Sequence, residues 1–417
     1  MVIFNNINNP KRGRENEKRA NWYNYYAGFS HTFVRTLIRD LNLHENSIIL
    51  DPWNGSGATT YAASIEGYSS IGSDLNPPMY IIAKSKLANK IDILDAKAKI
   101  KNLRVNAFSC HFESNDYLTN WFDVKTAKYI RYIDYFICKK IDVNIDTKLS
   151  SLSKVDCLLY VALFNTVRLL LKPFLSSNPT WIKKAKQEEC KLNVDNRLIK
   201  ESIINMLNDK LDIDDIPVTS KDAMFLSDDV KNLSLKDDSV DVVITSPPYC
   251  TRIDYGVATS PEAAVLYGNQ PIQIENTRRK LMGRTTIDRD FNCGVSFGIT
   301  ADKFLSSIYA HKSRASNSYY FKNFYQYFMD LDLSLSELSR VLKNNGYLVC
   351  VVQDSYYKEI YCDLSLIIIE LLINKGFKLL QKKEFESAVN MANLNNKSRA
   401  YRDKTVATEY VLIFSRG

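Results

Sequence analysis

Ser47-Ile48-Ile49-Leu50-Asp51-Pro52-Trp53-Asn54-Gly55-Ser56-Gly57 is the stretch on which the fold turns. Ser47 to Leu50 reads as a short buried strand, and Asp51 to Gly57 as the turn that ends it. Ala58 to Glu66 follows as a helix closed by Gly67, then Tyr68 to Gly72 as a second strand ending near Asp74. Upstream, Phe33, Leu37, Ile38 and Leu41 recur at helical spacing. The first 75 residues therefore spell helix–strand–turn–helix–strand, the opening of a doubly wound α/β sheet.

Working outward, the alternation stops from Tyr80 to about Ile216, where helical patterns rich in Lys, Asn, Leu and Ile dominate. It resumes near Ala223. Val240 to Thr245 is a near-continuous apolar run, as expected for the centre of a parallel sheet. After its exit loop, Ser246 to Asp254, a polar stretch that reads as irregular runs to about Tyr319. Phe321 to Leu342 is an amphipathic helix stopped at Asn344-Asn345-Gly346, and Tyr347 to Val352 is another buried strand. Leu364 to Ile373 is a helix closed by Gly376. Phe377–Phe385 and Tyr410–Phe414 complete the strands. The expected organisation is a basic tail (1–20), a cofactor-binding half (21–85), a helical insertion (86–220), and a catalytic half (221–417) with a polar insertion at 256–320.

Composition narrows the class. The 417 residues are 45% hydrophobic and 24% charged, enough for a sizeable core and against wholesale disorder. Lys+Arg 55 against Asp+Glu 47 leaves +8, a moderate excess compatible with a polyanionic partner. No run approaches the ~20 apolar residues of a membrane span. Cys157 to Leu171 is interrupted by Asn165, Thr166 and Arg168 and reads as a core helix. The start lacks the apolar centre of a secretion signal, so a soluble cytoplasmic protein with no membrane partner is expected. The eight cysteines are scattered without CxxC, and the four histidines do not cluster with them. Neither a disulfide framework nor a metal site is expected. Lys11-Arg12-Gly13-Arg14 and Lys18-Arg19 read equally well as a solvated end and as a phosphate-contacting arm.

Chemistry concentrates at two strand ends. In the Asp51–Gly57 turn, glycines let a ligand lie against bare backbone, and the next helix offers amides and a positive dipole end. No Gly-Lys-Ser/Thr follows, so triphosphate binding loses support. Asp74 lies about twenty residues on, where an acid can take both hydroxyls of a ribose. Turn and acid together fit a nucleoside-bearing cofactor; the plain alternative is a tight turn with a capping Asp. The second constellation, Ser246-Pro247-Pro248-Tyr249, leaves the third readable buried strand. Its prolines remove two donors and leave carbonyls to accept from an amino group. Tyr249 offers a face for a planar base.

These residues resemble the amino-group DNA methyltransferases that use S-adenosylmethionine, in which an Asp-Pro-Phe-x-Gly-Ser-Gly turn holds the cofactor and Ser/Asp-Pro-Pro-Tyr binds the target base. Trp53 stands for the usual Phe. The resemblance extends to Tyr26-Ala27-Gly28-Phe29-Ser30, to Ser227-Asp228-Asp229 and to Arg340–Gly346, and so covers roughly 21–85 and 221–417. It implies a mostly parallel, seven-stranded methyltransferase sheet. It also implies S-adenosylmethionine as cofactor, S-adenosylhomocysteine as product and no metal. By it, Phe29, Asp51, Trp53, Gly55, Gly57, Asp74 and Asp229 (favoured over Asp228 by register) bind cofactor, and Ser246, Pro247, Pro248 and Tyr249 are catalytic.

Ser at the first motif position goes with cytosine N4 and Asp or Asn with adenine N6, so cytosine N4 of a flipped DNA base is the expected acceptor. The amine chemistry leaves adenine N6 and RNA open, and the intact motifs argue against a module that binds without transferring. Methylation at cytosine carbon 5 needs a Cys directly after a Pro, whereas Cys250 follows Tyr249 and reads as a pocket-wall residue. Sequence reading falls to the helical insertion or to the polar stretch with Arg278, Arg279, Lys280, Arg284 and Arg289. The plain alternatives are a scaffold and a solvated helix face. A cognate restriction or defence component is the further partner the resemblance implies.

Overall fold

A computed structural model describes residues 7–10, 22–25, 28–106, 112–140, 143–176, 181–210, 221–250, 253–268, 270–288, 291–387 and 407–417. The basic pairs of 11–19, Tyr26-Ala27 and Arg289 lie outside these residues. Among the described residues nine strands are present: β1 (Ile48–Asp51), β2 (Ser69–Ser73), β3 (Ala223–Leu226), β4 (Val240–Thr245), β5 (Leu342–Gln353), β6 (Ser355–Tyr357), β7 (Ile360–Cys362), β8 (Phe377–Ser387) and β9 (Ala407–Arg416). Seven form one sheet in the order β3-β2-β1-β4-β5-β9-β8, while β6 and β7 pair as a hairpin. β3 through β5 run parallel, and β9 is antiparallel to both its neighbours. This is the expected seven-stranded, mostly parallel α/β sheet.

Side-chain alternation explains why both faces are covered. Val242 and Ile244 of β4, Val349 and Val351 of β5, and Val411 and Ile413 of β9 face the helices His31–Leu41 and Ala58–Ile65. Val243, Leu348, Cys350, Val352, Leu412 and Phe414 face the opposite layer, helices Ile299–Ala310, Phe321–Val341 and Leu364–Asn374. A strand with a period of two and helices on both sides reads as an unbroken apolar run, as Val240–Thr245 does. Strand order reverses between β1 and β4, so their C-terminal ends flank the crevice where such sheets bind ligands.

The third core differs from expectation. Helices Lys90–Lys101, Val124–Ile137, Lys154–Leu170 and Asn196–Lys210 pack with Pro77–Ser85 and with Ala263 to Tyr267 and Ile274. Residues 86–220 and the first part of 256–320 therefore share one core. Nor is that polar stretch irregular: it holds helices Tyr255–Ala258, Ser260–Tyr267, Pro271–Lys280 and Ile299–Ala310. Ser260–Tyr267 is buried all round, so it has no amphipathic period to read. Its start was legible only in Pro261, which occupies the first turn.

Buried charge ties this helix to the insertion. Arg131 pairs with Asp116 at 3.0 Å and donates to the carbonyls of Ala264 and Val265; Lys148 pairs with Asp134 at 2.7 Å and donates to the Leu266 carbonyl at 3.0 Å. Two cations thus cap the last carbonyls of Ser260–Tyr267, where the helix dipole is negative. At its other end, Glu262 accepts from Tyr23 Oη at 2.8 Å and from Arg168. Among the described residues no helix is long and apolar enough to cross a membrane.

Candidate active site

The turn after β1 is held by its own sequence. Asp51 is 2% exposed and accepts from Thr59 Oγ1 at 2.6 Å, Thr245 Oγ1 at 2.7 Å and the Trp53 amide at 3.2 Å. It thereby bolts β1, the following helix and β4 together. Burial pushes its carboxyl up to about 6, against these donors. Gly57 has φ +79°, and a Cβ there would lie 2.7 Å from the Ala83 side chain and 2.8 Å from its Cα. Only glycine admits both that conformation and that approach. Asp74 accepts from the Gly55 amide at 2.8 Å and the Asn76 amide at 2.9 Å. Desolvation pushes its carboxyl up to about 7.

Across the crevice, Pro248 and Tyr249 are fixed from behind. Tyr327 Oη donates to the Pro248 carbonyl at 2.8 Å, and the Tyr249 amide donates to Tyr255 Oη at 3.3 Å. Among the described residues, neither the Ser246 hydroxyl nor the Pro247 carbonyl has a hydrogen-bond partner. Of the two proline carbonyls, that of Pro247 is the one left available. Cys250 is buried in the core beneath the loop rather than on the pocket wall.

Both constellations open into one cavity of about 940 Å³, counted with its mouth. Phe29, Asp51, Trp53, Gly55, Asp74, Asp229 and Ser246 to Tyr249 all line it, as do Tyr25, Tyr255, Lys231 and Lys280. Gly57 acts from the second layer through the turn. Asp228 lines the cavity too, but its carboxylate is occupied by the amide and hydroxyl of Ser234. Asp229 faces Lys231, whose Nζ lies 3.2 Å from it and 3.4 Å from Asp330.

The four basic residues expected to meet nucleic acid separate into two pairs. Arg278 donates to Asp254 through Nε at 3.0 Å and Nη2 at 2.8 Å, and Thr285 adds its hydroxyl to the same carboxylate at 2.8 Å. Gly256 makes this possible, since a Cβ there would meet the Arg278 side chain at 2.6 Å. Arg284 is buried and paired at 2.7 Å with both Asp330 and Asp288. Arg278 and Arg284, expected at the nucleic acid, are instead engaged in internal ion pairs that brace the segment after β4. Arg279 and Lys280 are exposed, Arg279 beside Glu275 and Lys280 at the cavity.

Sequence reading missed Tyr25, Asp254, Tyr255 and Tyr327. Asp254-Tyr255 follows the Ser246–Tyr249 motif by five and six residues and could have been flagged by that adjacency. Tyr327 was hidden in an apolar helix face, where its hydroxyl looks incidental.

Residues 240–417 match the family model described as DNA methylase, of the N6/N4 type. Over these residues, rather less than half of its length, the chain is similar to the N6/N4 DNA methylases. The matched region begins at β4 and contains the Ser-Pro-Pro-Tyr loop, its bracing tyrosines and the last four strands of the sheet order. Among curated proteins, the chain is 26% identical over 280 residues to the Type II methyltransferase M.BsoBI of Geobacillus stearothermophilus, covering 61% of this chain and 54% of that one. It is 22% identical over 409 residues to the Type II methyltransferase M.AvaI of Nostoc sp., covering 88% and 81%. The chain thus spans about half the length of the first of these relatives. A solved SAM-dependent methyltransferase from Methanosarcina mazei aligns at TM-score 0.32 and 10% identity over 91% of this chain and 96% of that one, too distant a likeness to add to the topology.

Proposed function

We propose that the protein transfers a methyl group from S-adenosylmethionine to the exocyclic amine of a base extruded from DNA, cytosine N4 in first place. The observation that carries this is the shared cavity: the glycine turn with Asp74 and the Ser246–Tyr249 loop line one space across the adjoining ends of β1 and β4.

The cavity lining suits the cofactor. Asp74, Trp53, Phe29 and Asp229 line it, and in this reading Asp74 takes the ribose diol, the two aromatic rings wall the cofactor and Asp229 accepts from the adenine amine. When bound, S-adenosylmethionine supplies an electrophilic methyl on a sulfonium. The chain's own groups do the rest. Tyr249 stacks the base, while the Pro247 carbonyl and Ser246 hydroxyl accept from its amine and turn the nitrogen lone pair toward the donor. Rate enhancement comes mainly from this positioning in a dry, preorganised pocket. Extrusion costs a few kcal/mol, repaid by stacking and by these hydrogen bonds. Ser246 orients the amine rather than deprotonating it, having no basic partner among the described residues. The surplus proton therefore leaves to solvent after the methyl–nitrogen bond forms and the sulfonium departs as the neutral thioether. Asp51 is no substitute base, because its oxygens are committed to Thr59, Thr245 and Trp53.

Ser246 in the first motif position favours cytosine N4 over adenine N6. Arg279 and Lys280 are the members of the basic row available to phosphates. The naming of two relatives as Type II methyltransferases supports site-specific DNA as substrate and a cognate nuclease as genetic partner. The deciding experiment incubates the protein with methyl-labelled cofactor and either DNA or RNA, then identifies the modified nucleoside. N4-methylcytosine in DNA is expected. N6-methyladenine would move the acceptor, and label in RNA alone would overturn the substrate.

Protonation of Asp74 gives a pH signature. A neutral carboxyl offers one acceptor fewer and must donate a proton of its own, so the ionised form is the one that takes a diol. With the carboxyl raised to about 7, affinity for S-adenosylhomocysteine should tighten as pH rises through 7, by about tenfold from pH 6 to pH 8. Calorimetric titration measures it. In Asp74→Asn the affinity should be weaker and its pH dependence flat over this range; an unchanged slope would remove Asp74 from the diol site.

A further inference from the structure

A surface outside the described machinery has the composition of a nucleic-acid contact. Lys312-Ser313-Arg314-Ala315-Ser316-Asn317-Ser318-Tyr319-Tyr320-Phe321-Lys322 links helix Ile299–Ala310 to helix Phe321–Val341. Lys312, Arg314, Tyr319, Tyr320 and Lys322 are all exposed. None of the three cations has a carboxylate partner among the described residues. Glu359, an acid on this edge, is already occupied by His311 Nε2 at 2.8 Å.

The segment is built rather than loose. Ala315 sits at φ +62°, a left-handed conformation uncommon for a residue with a Cβ, and leads into a π-type turn over Ser316–Tyr320. Ser316 Oγ bonds the His311 carbonyl, and Tyr320 rests against Tyr357 with ring centroids 5.0 Å apart. The turn also abuts the catalytic loop. Tyr319 Oη donates to the Thr285 carbonyl at 2.8 Å, Thr285 holds Asp254, and Gly283 lies against the Tyr249 carbonyl. Cations interleaved with exposed aromatic faces, linked through Thr285 to the segment that follows the Ser246–Tyr249 loop, suit a chain of phosphates and partly unstacked bases.

Resting on the DNA reading above, we propose that Lys312–Lys322 is the track for the DNA strand flanking the extruded nucleotide. Lys312, Arg314 and Lys322 contact its phosphates, and Tyr320 stacks on a neighbouring base.

The test uses the full chain saturated with S-adenosylhomocysteine and a fluorescein-labelled mixed-sequence duplex, with affinity read by anisotropy across a salt series. Each lost phosphate contact removes about 0.9 from the log–log salt slope, so K312A/R314A/K322A should flatten it by about 2–3 and weaken low-salt binding at least about tenfold. The melting temperature and cofactor affinity should stay unchanged. A triple loss of exposed charge on the helical insertion, K90A/K101A/K125A, should leave the slope in place. On single-stranded DNA, Tyr320→Ala should cost about tenfold and Tyr320→Phe should retain binding. An unchanged slope in the first triple variant, an equal loss in the second, or tighter binding of RNA than DNA overturns the proposal. If the first triple variant binds as the wild type does while the wild type methylates DNA, the track alone is wrong. If the wild type binds cofactor but no DNA, the functional reading falls with it.

Discussion

Replacing Tyr249 with alanine should lower methyl transfer at least about a hundredfold, because a base free to tilt or shift by an ångström forfeits its alignment with the donor. Stacking itself accounts for roughly 1–3 kcal/mol of that loss. The loop should survive the change. Its backbone is held at Pro248 by Tyr327 and at the Tyr249 amide by Tyr255, neither of which needs the Tyr249 ring. S-adenosylhomocysteine affinity should therefore stay within about twofold, since the acids and glycines holding it lie across the crevice. Tyr249→Phe keeps the flat face and should keep most of the rate. Single-turnover transfer beside calorimetric cofactor binding measures both arms. Equal loss of transfer and cofactor affinity in Tyr249→Ala would place this ring in the cofactor site instead.

Arg131→Met should be the most damaging single change to stability, about 3–5 kcal/mol, as expected when one partner of a buried ion pair is removed. Arg131 is buried, and its loss strands the Asp116 carboxylate, which is 0% exposed, together with the Ala264 and Val265 carbonyls. The Asp116 carboxyl is already pushed up by burial, with Arg131 the chief counterweight. Without Arg131 it should take up a proton at higher pH, softening the loss as pH falls. In a chain this large the melting temperature should drop by only about 3–6 °C. Adding Asp116→Leu should recover part of it, since removing both charges costs less than orphaning one. A double variant no more stable than Arg131→Met would show that the carbonyls of helix Ser260–Tyr267, rather than the stranded carboxylate, set the cost.

These two predictions probe different layers of the molecule, and the sequence exposed them unequally. The ends of β1 and β4 were legible because each lies in a short apolar run closed by residues of special backbone chemistry: Gly55 and Gly57 in one, Pro247 and Pro248 in the other. Such punctuation is local, and local rules read it. The charge network around Arg131 gave no comparable signal. Its directly bonded partners lie up to 134 positions apart along the chain, and each charge alone looks like a surface residue.

The basic row shows the same limit from the other side. Arg278, Arg279, Lys280 and Arg284 are alike in sequence, and composition cannot say which of them folding will neutralise. The carboxylates that sort them, Asp254, Asp288 and Asp330, come from three separate segments. Once those pairs form, Arg278 and Arg284 become braces while Lys280 is left at the cavity.

What the amino-acid order determined by itself was the rhythm of strand and helix, the two ligand-facing turns, and hence the α/β sheet with its crevice. Periodicity and turn chemistry act over a few residues and survive reading in one dimension. Tertiary structure alone decided that the helical insertion and Ser260–Tyr267 share a core, that Pro247 rather than Pro248 keeps an available carbonyl, and which cations remain for a polyanion. Each of those outcomes depends on which distant donor or carboxylate arrives first in space, and desolvation makes that partner's identity matter more than any local propensity.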